Sequence, residues 1–136
     1  MSPPIALLDT HAWYWLLTGT PKIPKPAIQL IETVDHLVVC SISIFEISRK
    51  AGLGKWPRVD EEGLRQLKAA SRRFGIETVS ASSDALINAG FLKWEHRDPW
   101  DRLIAAVALD MPASLVSADQ AFDQVPRLNR QWSDRT

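Results

Sequence analysis

The sequence is poor in the features that mark secreted, membrane-spanning or strongly charged proteins. It has one cysteine in 136 residues, Cys40, so no intrachain disulfide can form and an intracellular protein is expected. The longest apolar run, Leu103 to Leu109, is far shorter than the ~20 residues that a membrane span needs. The segment Met1 to Pro4 lacks the basic residues of a signal peptide. We therefore expect a cytoplasmic protein without a membrane partner.

Net charge is also absent, since 16 Lys and Arg balance 16 Asp and Glu. This neutrality argues at first against a nucleic-acid partner, because such proteins usually carry a basic excess. The apolar content of 46% and the charged content of 24% are ordinary for a globular protein and exclude global disorder. The length is typical of one domain. The sequence predicts a single domain over residues 1–136, with a core at about 5–125 and a polar C-terminal tail.

Short apolar segments alternate along the chain with segments of helical periodicity. This alternation predicts an α/β fold with a central, mostly parallel sheet flanked by helices. The third strand alternates in polarity, which is typical of an edge position. We predict strands at 5–8, 37–40, 76–79 and 113–116, a short one near Leu128, and helices at about 12–17, 26–34, 43–51, 61–73, 83–90 and 102–109, with a helical turn at 120–123.

Acidic residues lie at the starts of segments that follow the predicted strands. Asp9 follows the first strand, Glu46 is on the helix after the second, and Asp119 follows the fourth. The carboxyl ends of parallel strands meet at one edge of a sheet, where ligands bind. Topology therefore brings these three acids together. Asp101 begins the helix that precedes the fourth strand, so it must reach the same edge by another route.

Carboxylates held this close repel one another, which raises their pKa values. A divalent cation relieves the repulsion, and oxygen ligands suit Mg²⁺ or Mn²⁺ better than Zn²⁺. Each acid also has a structural explanation. Asp9 and Asp98 could cap helices, and Asp101 stands at a capping-box position behind Asp98. The segment Ser43 to Glu46 matches a capping box, and Ser117 with Gln120 matches another around Asp119. We assign Asp98 as the cap and Asp101 as the ligand.

Four segments together resemble the PIN-domain nucleases, and more narrowly the VapC-type toxins of bacterial type II toxin–antitoxin operons. The resemblance covers roughly Ile5 to Phe122, and Trp100 stands where Phe is more usual. A lone Asp-Thr is uninformative, but the ordered set is specific. The segments are Leu7-Leu8-Asp9-Thr10-His11, Ser43-Ile44-Phe45-Glu46-Ile47, His96-Arg97-Asp98-Pro99-Trp100-Asp101-Arg102-Leu103-Ile104-Ala105 and Ser117-Ala118-Asp119.

The resemblance implies an endoribonuclease dependent on Mg²⁺ or Mn²⁺, acting as a homodimer and neutralised by a VapB-type antitoxin. It implies Thr10 and Ser117 as polar neighbours that orient ligands or waters. The surface at Trp13-Tyr14-Trp15 belongs to the antitoxin groove, to the dimer interface or, for Trp13, to the core. The implied catalytic and metal-binding residues are Asp9, Glu46, Asp101 and Asp119.

The mechanism that fits is attack on an RNA phosphorus by a water activated at one or two cations held by the acidic cluster. Arg102 could hold a phosphate through its fork of donors, or form a salt bridge with a neighbouring carboxylate. His96 could contact substrate or merely pack. If four acids bind metal, 16 basic residues face only 12 remaining acidic ones. Neutrality then describes the metal-free protein and does not exclude RNA.

Two other functions compete with this interpretation. A receiver-like phosphoacceptor domain needs paired acids after its first strand and a Lys after its last, whereas this sequence has only Asp9 there and no Lys after Lys93. A catalytically inactive PIN-like module would bind RNA or protein without cleaving it. The presence of all four acids argues against that alternative.

Overall fold

The computed structural model describes residues 4–133. Residues 1–3 and 134–136, the ends of the predicted domain and of its polar tail, lie outside the described part. Helices and strands alternate as the sequence predicts, with boundaries shifted by at most three residues. The elements are β1 (Ile5–Leu8), α1 (Thr10–Thr18), α2 (Lys25–Thr33), β2 (His36–Cys40), α3 (Ser41–Gly52), α4 (Glu61–Arg73), β3 (Glu77–Val79), α5 (Ser83–Phe91), α6 (Pro99–Asp110), β4 (Ser114–Val116), a 3₁₀ turn (Gln120–Gln124) and β5 (Arg130–Gln131).

The five strands form one sheet in the order β3-β2-β1-β4-β5. All four neighbouring pairs are parallel, which confirms the predicted α/β class. The third strand is at an edge, as its alternating pattern predicts. Strand β1 is central, and Leu8 at its end is in register with Val39 of β2 and Val116 of β4. The residues that follow β1 and β4 therefore emerge side by side.

Side chains of the inner strands alternate between two apolar cores, one on each face of the sheet. Ala6 and Leu8 of β1 point into the core shared with α1, and Leu7 points into the core shared with α5 and α6. Trp13 is fully buried in the first core, so core packing is its role. Between residues 4 and 133, no helix has the length and apolarity needed to cross a lipid bilayer.

Three helices begin at side-chain caps, and the predicted cap at Asp98 is confirmed. Asp60 accepts a hydrogen bond from the amide of Gly63 at 2.7 Å, and Ser82 accepts one from Ala85 at 3.0 Å. Asp98 accepts from the amide of Trp100 at 2.8 Å. Each cap satisfies an amide that the first helical turn leaves without a partner. These caps fix the starts of α4, α5 and α6.

The predicted capping box at Ser43 to Glu46 is wrong. Helix α3 begins at Ser41, because β2 runs directly into the helix through an extended Cys40 that makes no side-chain cap. Ser43 is therefore inside the first turn, where it is fully buried. Glu46 is correspondingly one turn further along the helix than a capping residue would be. Its carboxylate is free to point at the end of β1 instead.

Candidate metal centre

Asp9 is held at the carboxyl edge of the sheet by two backbone constraints. Its amide donates to the carbonyl of Val116 at 3.0 Å, which ties it to the end of β4. Its carboxylate accepts from the amide of Ala12 at 2.8 Å, so it does cap α1 as the structural explanation proposes. Capping uses one carboxylate oxygen, Oδ1. The residue thus combines a structural role with a carboxylate at the sheet edge.

The environment of Asp9 disfavours a charged carboxylate. Burial is the largest cause that raises its pKa, and the charges of Asp101 and Glu46 act in the same direction, so that the pKa rises from 3.8 to about 7. Hydrogen bonds from Ser117 and from the Ala12 amide act in the opposite direction and do not compensate. Three of the four predicted acids therefore interact at this edge. A buried acid surrounded by like charges is the environment that a bound cation would relieve.

Glu46 reaches the same edge from α3 and has two partners. It is 5% exposed, so its buried carboxylate needs partners. Thr10 Oγ1 donates to Glu46 Oε1 at 2.6 Å and lies 2.9 Å from the hydroxyl of Ser43. Lys50, one turn along α3, forms an ion pair with the other carboxylate oxygen. Thr10 is thus a buried polar neighbour that fixes the Glu46 side chain.

Asp101 reaches the edge because α5 returns the chain to it. Helices α5 and α6 pack antiparallel: Ser82, at the start of α5, donates to Asp110 at the end of α6 at 3.0 Å. The start of α6 is correspondingly beside the end of α5. Burial raises the pKa of Asp101, a hydrogen bond with His96 lowers it, and the charges of Asp98 and Asp119 raise it. This pairing of helices is the route that the strand order alone does not supply.

Asp119 follows β4 and caps the 3₁₀ turn, accepting from the amide of Ala121 at 2.9 Å. Ser117 is fully buried, and its hydroxyl accepts from the amide of Asp119 at 3.0 Å. The predicted pairing of Ser117 with Gln120 is therefore replaced by a cap from Asp119 itself. Asp119 is exposed, so it approaches the cluster from its solvent side. Ser117 links Asp9 and Asp119 through hydrogen bonds.

A second grouping of potential ligands lies at the start of α6. One atom each of His96, Asp98 and Asp101 lies within 4.8 Å of the others. His96 Nε2 is 2.7 Å from Asp101 Oδ2, while Asp98 Oδ1 is committed to capping α6. Asp101 therefore belongs both to this group and to the acids around Asp9. His96 restrains the orientation of the Asp101 carboxylate.

Arg102 contacts backbone carbonyls only, among the described hydrogen bonds. Its Nε donates to Ala89 at 2.9 Å. Nη1 donates to Trp94 at 2.7 Å and His96 at 2.9 Å, and Nη2 donates to Gly90 at 3.4 Å and Leu92 at 2.8 Å. A guanidinium has five N–H donors, so all of them are occupied. These contacts are neither a phosphate clamp nor a salt bridge; they fix the segment that carries His96.

Two contacts at the site were missed by sequence reasoning. The Glu46–Lys50 ion pair has an i,i+4 spacing on a predicted helix, a signal that could have found it. The aromatic contacts of His11 have a weaker signal. His11 and Trp15 have the same i,i+4 spacing on α1, but Trp56, the other ring that contacts His11, comes from the connector before α4. Only tertiary structure reveals that contact.

The residues at this edge fit a hard divalent cation. Asp9, Glu46, Asp101 and Asp119 offer carboxylate oxygens, the ligands that Mg²⁺ and Mn²⁺ prefer. Lys50 pairs with Glu46, and His96 pairs with Asp101. Burial is the main cause of the raised pKa of Asp9, and the charges of Asp101 and Glu46 add to it. A bound cation would favour the charged form of these acids.

Comparison with solved structures finds the same fold in other proteins. The chain is similar in structure to VapBC2 from Rickettsia felis bound to a promoter DNA fragment, with a TM-score of 0.69, 21% identity and coverage of 95% of this chain and 99% of that one. The structure of DNA-bound VapBC from Salmonella typhimurium has a TM-score of 0.67 and 18% identity, with coverage of 96% of this chain and 98% of that one. VapBC-1 from nontypeable Haemophilus influenzae has a TM-score of 0.69 and 21% identity, with coverage of 93% of this chain and 96% of that one.

At these identities the structural likeness establishes the fold. No curated protein sequence matches the chain. The family model described as "PIN domain" matches residues 6–128, which is most of the sequence. The matched range contains the four acids at the sheet edge, strands β2 to β4 and all of β1 except Ile5. On this match, the chain belongs to the PIN domain family.

Proposed function

We propose that the protein is a metal-dependent endoribonuclease of the VapC toxin type. The observation that carries the proposal is the buried carboxylate of Asp9, whose pKa is raised to about 7 by burial and by the neighbouring charges of Asp101 and Glu46. A fold without a ligand at this edge gains nothing from burying these acids together, since the arrangement costs stability. Buried ionisable groups with strongly shifted pKa values are typical of functional sites.

In this proposal Asp9, Glu46, Asp101 and Asp119 hold Mg²⁺ or Mn²⁺ at the carboxyl edge of the sheet. When bound, the ion would supply positive charge that activates water and stabilises the leaving oxygen of a phosphodiester. Thr10 fixes the Glu46 carboxylate through its 2.6 Å hydrogen bond. Ser117 hydrogen-bonds to Asp9 and accepts from the Asp119 amide, so it holds these two acids in relative position.

The partners follow from the toxin type. We propose an RNA substrate, a VapB-type antitoxin that covers the active-site groove, a homodimer, and action in the cytoplasm. The similar structures are of VapBC complexes, which supports an antitoxin partner. A groove of about 820 Å³ between α3 and α4 is lined by apolar side chains such as Ile44, Phe45 and Leu64 and by polar and charged ones. It lies along α3, the helix that carries Glu46, which makes it a candidate site for such a partner.

Cleavage of single-stranded RNA by the purified protein tests the proposal. We expect cleavage with Mg²⁺ or Mn²⁺, none with EDTA, and a loss of at least ~100-fold in the double variant Asp9→Asn/Asp101→Asn. Asp84→Asn, which changes an exposed acid on α5, is the matched control and should cleave normally. Wild-type rates in the double variant would refute the metal mechanism. Mn²⁺ binding without any cleavage would indicate the inactive PIN-like module instead.

A further inference from the structure

Five aromatic rings lie in contact beside the acidic cluster, and we call them the aromatic strip: His11, Tyr14, Trp15, Trp56 and Trp132. His11 stacks on Trp56 with ring centroids 4.8 Å apart and planes 27° from parallel. Trp15 lies 5.5 Å from His11 and 6.0 Å from Trp132. Tyr14 meets Trp56 edge-on at 5.3 Å. The strip joins α1, the connector before α4, and the segment after β5.

The strip begins at the candidate metal centre. His11 is two residues after Asp9 on the first turn of α1, and its imidazole is within reach of the charges of Glu46 and Asp119. From His11 the strip continues to Trp15, one helical turn further from the metal centre, and then to Trp132. A ligand that lies on these rings would therefore extend away from the acids.

Exposure distinguishes the strip from ordinary core packing. Trp13, on the same helix, is fully buried and its indole N–H donates to Ser71 at 3.0 Å. Trp56 is 8% exposed and supports the ring of His11 from beneath. His11 itself is exposed, and Trp15 is half-buried. The outer part of the strip thus presents aromatic surface to solvent.

Two lysines accompany the rings. Lys22 Nζ is 5.1 Å from the centroid of the Trp15 ring, and Lys50 Nζ is 6.0 Å from that of Trp56. Aromatic faces with interspersed cations are the combination that binds single-stranded nucleic acids, because bases stack on the rings while cations meet the phosphates. A purely apolar peptide would gain little from the lysines.

We infer that the aromatic strip is a substrate subsite on which a nucleobase of single-stranded RNA stacks, next to the phosphate to be cleaved. His11 and Trp15 supply the stacking surface, and Lys22 contacts a neighbouring phosphate. The inference rests on the proposed ribonuclease function and adds to it the residues that bind a base of the substrate. Paired RNA would hold that base inside its helix.

Binding to a short oligouridine, compared with an abasic chain of the same length, tests the inference. The parent is the inactive Asp9→Asn/Asp101→Asn protein, and His11→Ala and Trp15→Ala are made in it. Base–aromatic stacking predicts that each variant binds the oligouridine about 5- to 100-fold more weakly than the parent does. Affinity for the abasic chain should be unchanged. Trp15→Phe keeps a stacking surface and should retain most of the affinity, and Phe91→Ala, an exposed ring on α5, is the matched control.

Several results would overturn the inference. One is equal affinity of parent and variants for the oligouridine, whether tight or undetectable. Another is an equal loss for the oligouridine and the abasic chain, which would show that the rings act through the fold. A third is a changed oligomeric state of Trp15→Ala with unchanged RNA affinity, which would make the strip an interface between copies. Cleavage by the wild-type protein is measured separately, so failure of the ribonuclease proposal is distinguishable.

Discussion

Replacing Asp9 by asparagine should make the metal-free protein more stable while abolishing its activity. Asn keeps the oxygen that caps α1 through the Ala12 amide, and it carries no charge. The change therefore removes the buried charge with little change of shape. The difference in free energy of unfolding between the two proteins is therefore the cost of the buried charge at the candidate metal centre.

The size of the effect follows from the pKa of Asp9, which rises from 3.8 in an unfolded chain to about 7 in the fold. The folded state binds this proton more tightly, so the stability of the wild-type protein falls as pH rises from about 4 to 7. At 1.36 kcal/mol per tenfold difference in proton affinity, the full effect is about 4 kcal/mol. Asp9→Asn should be more stable than wild type by about 2 kcal/mol at about pH 5 and by about 4 kcal/mol at about pH 8.

Urea denaturation in EDTA at these two pH values measures the difference. Asp123→Asn is the control of opposite sign, because a hydrogen bond from Arg130 lowers the pKa of Asp123. That carboxylate stabilises the fold above its unfolded pKa and stops doing so as pH falls, so its removal should destabilise the protein at neutral pH. Added Mn²⁺ should stabilise wild type more than Asp9→Asn, since binding to the folded state alone adds to its stability.

Two results would refute this reasoning. If Asp9→Asn is less stable than wild type at pH 8, the carboxylate contributes a net favourable interaction that burial and like charges do not explain. If the stability difference does not change between pH 5 and pH 8, Asp9 does not titrate in that interval in the folded protein. Either result would also remove the principal support for a cation at this edge.

Three further predictions concern the surroundings of the site. Arg102→Lys should lower the free energy of unfolding by roughly 3 kcal/mol in urea denaturation, because one ammonium group cannot replace five guanidinium hydrogen bonds; a loss under ~1 kcal/mol would contradict this. Trp13→Phe should cost roughly 2 kcal/mol through the lost bond to Ser71 and the smaller ring, and adding Ser71→Ala should restore part of it, as thermal unfolding would show. Lys50→Met should raise Mn²⁺ affinity about threefold in calorimetry, because Glu46 then loses its competing cation; unchanged or weaker binding would argue that Glu46 is not a ligand.

The strands and most helix starts were predictable because their signals are local. Apolar runs such as residues 5–8 identify buried strands, and side chains such as Asp60 and Asp98 cap the turn that directly follows them. The start of α3 was not predictable in the same way. Ser43 to Glu46 has the letters of a capping box, but β2 enters α3 without a turn. A capping pattern predicts a helix start only where a turn or loop separates the helix from the preceding strand.

The part of the candidate site that the strand order determines was predictable from the sequence. Parallel strands bring Asp9 and Asp119 to one edge whatever their neighbours are. The acids as metal ligands remain a prediction. The contacts of Arg102 could not be read from the sequence, because its acceptors are backbone carbonyls and every residue has one. The aromatic strip depends in the same way on how Trp56 and Trp132 fold back onto α1.

The central position of β1 has a consequence for protein synthesis. The strand is the first of the five to be made, yet it lies between β2 and β4, and β4 is the fourth to be made. A nascent chain lengthens by only about 5–20 residues per second, so β1 waits for its second neighbour while β2, β3 and six helices are translated. Asp9 and Asp119 consequently meet only after β4 has been made. A product that terminates before β4 would lack Asp119, so it should be inert rather than partly active.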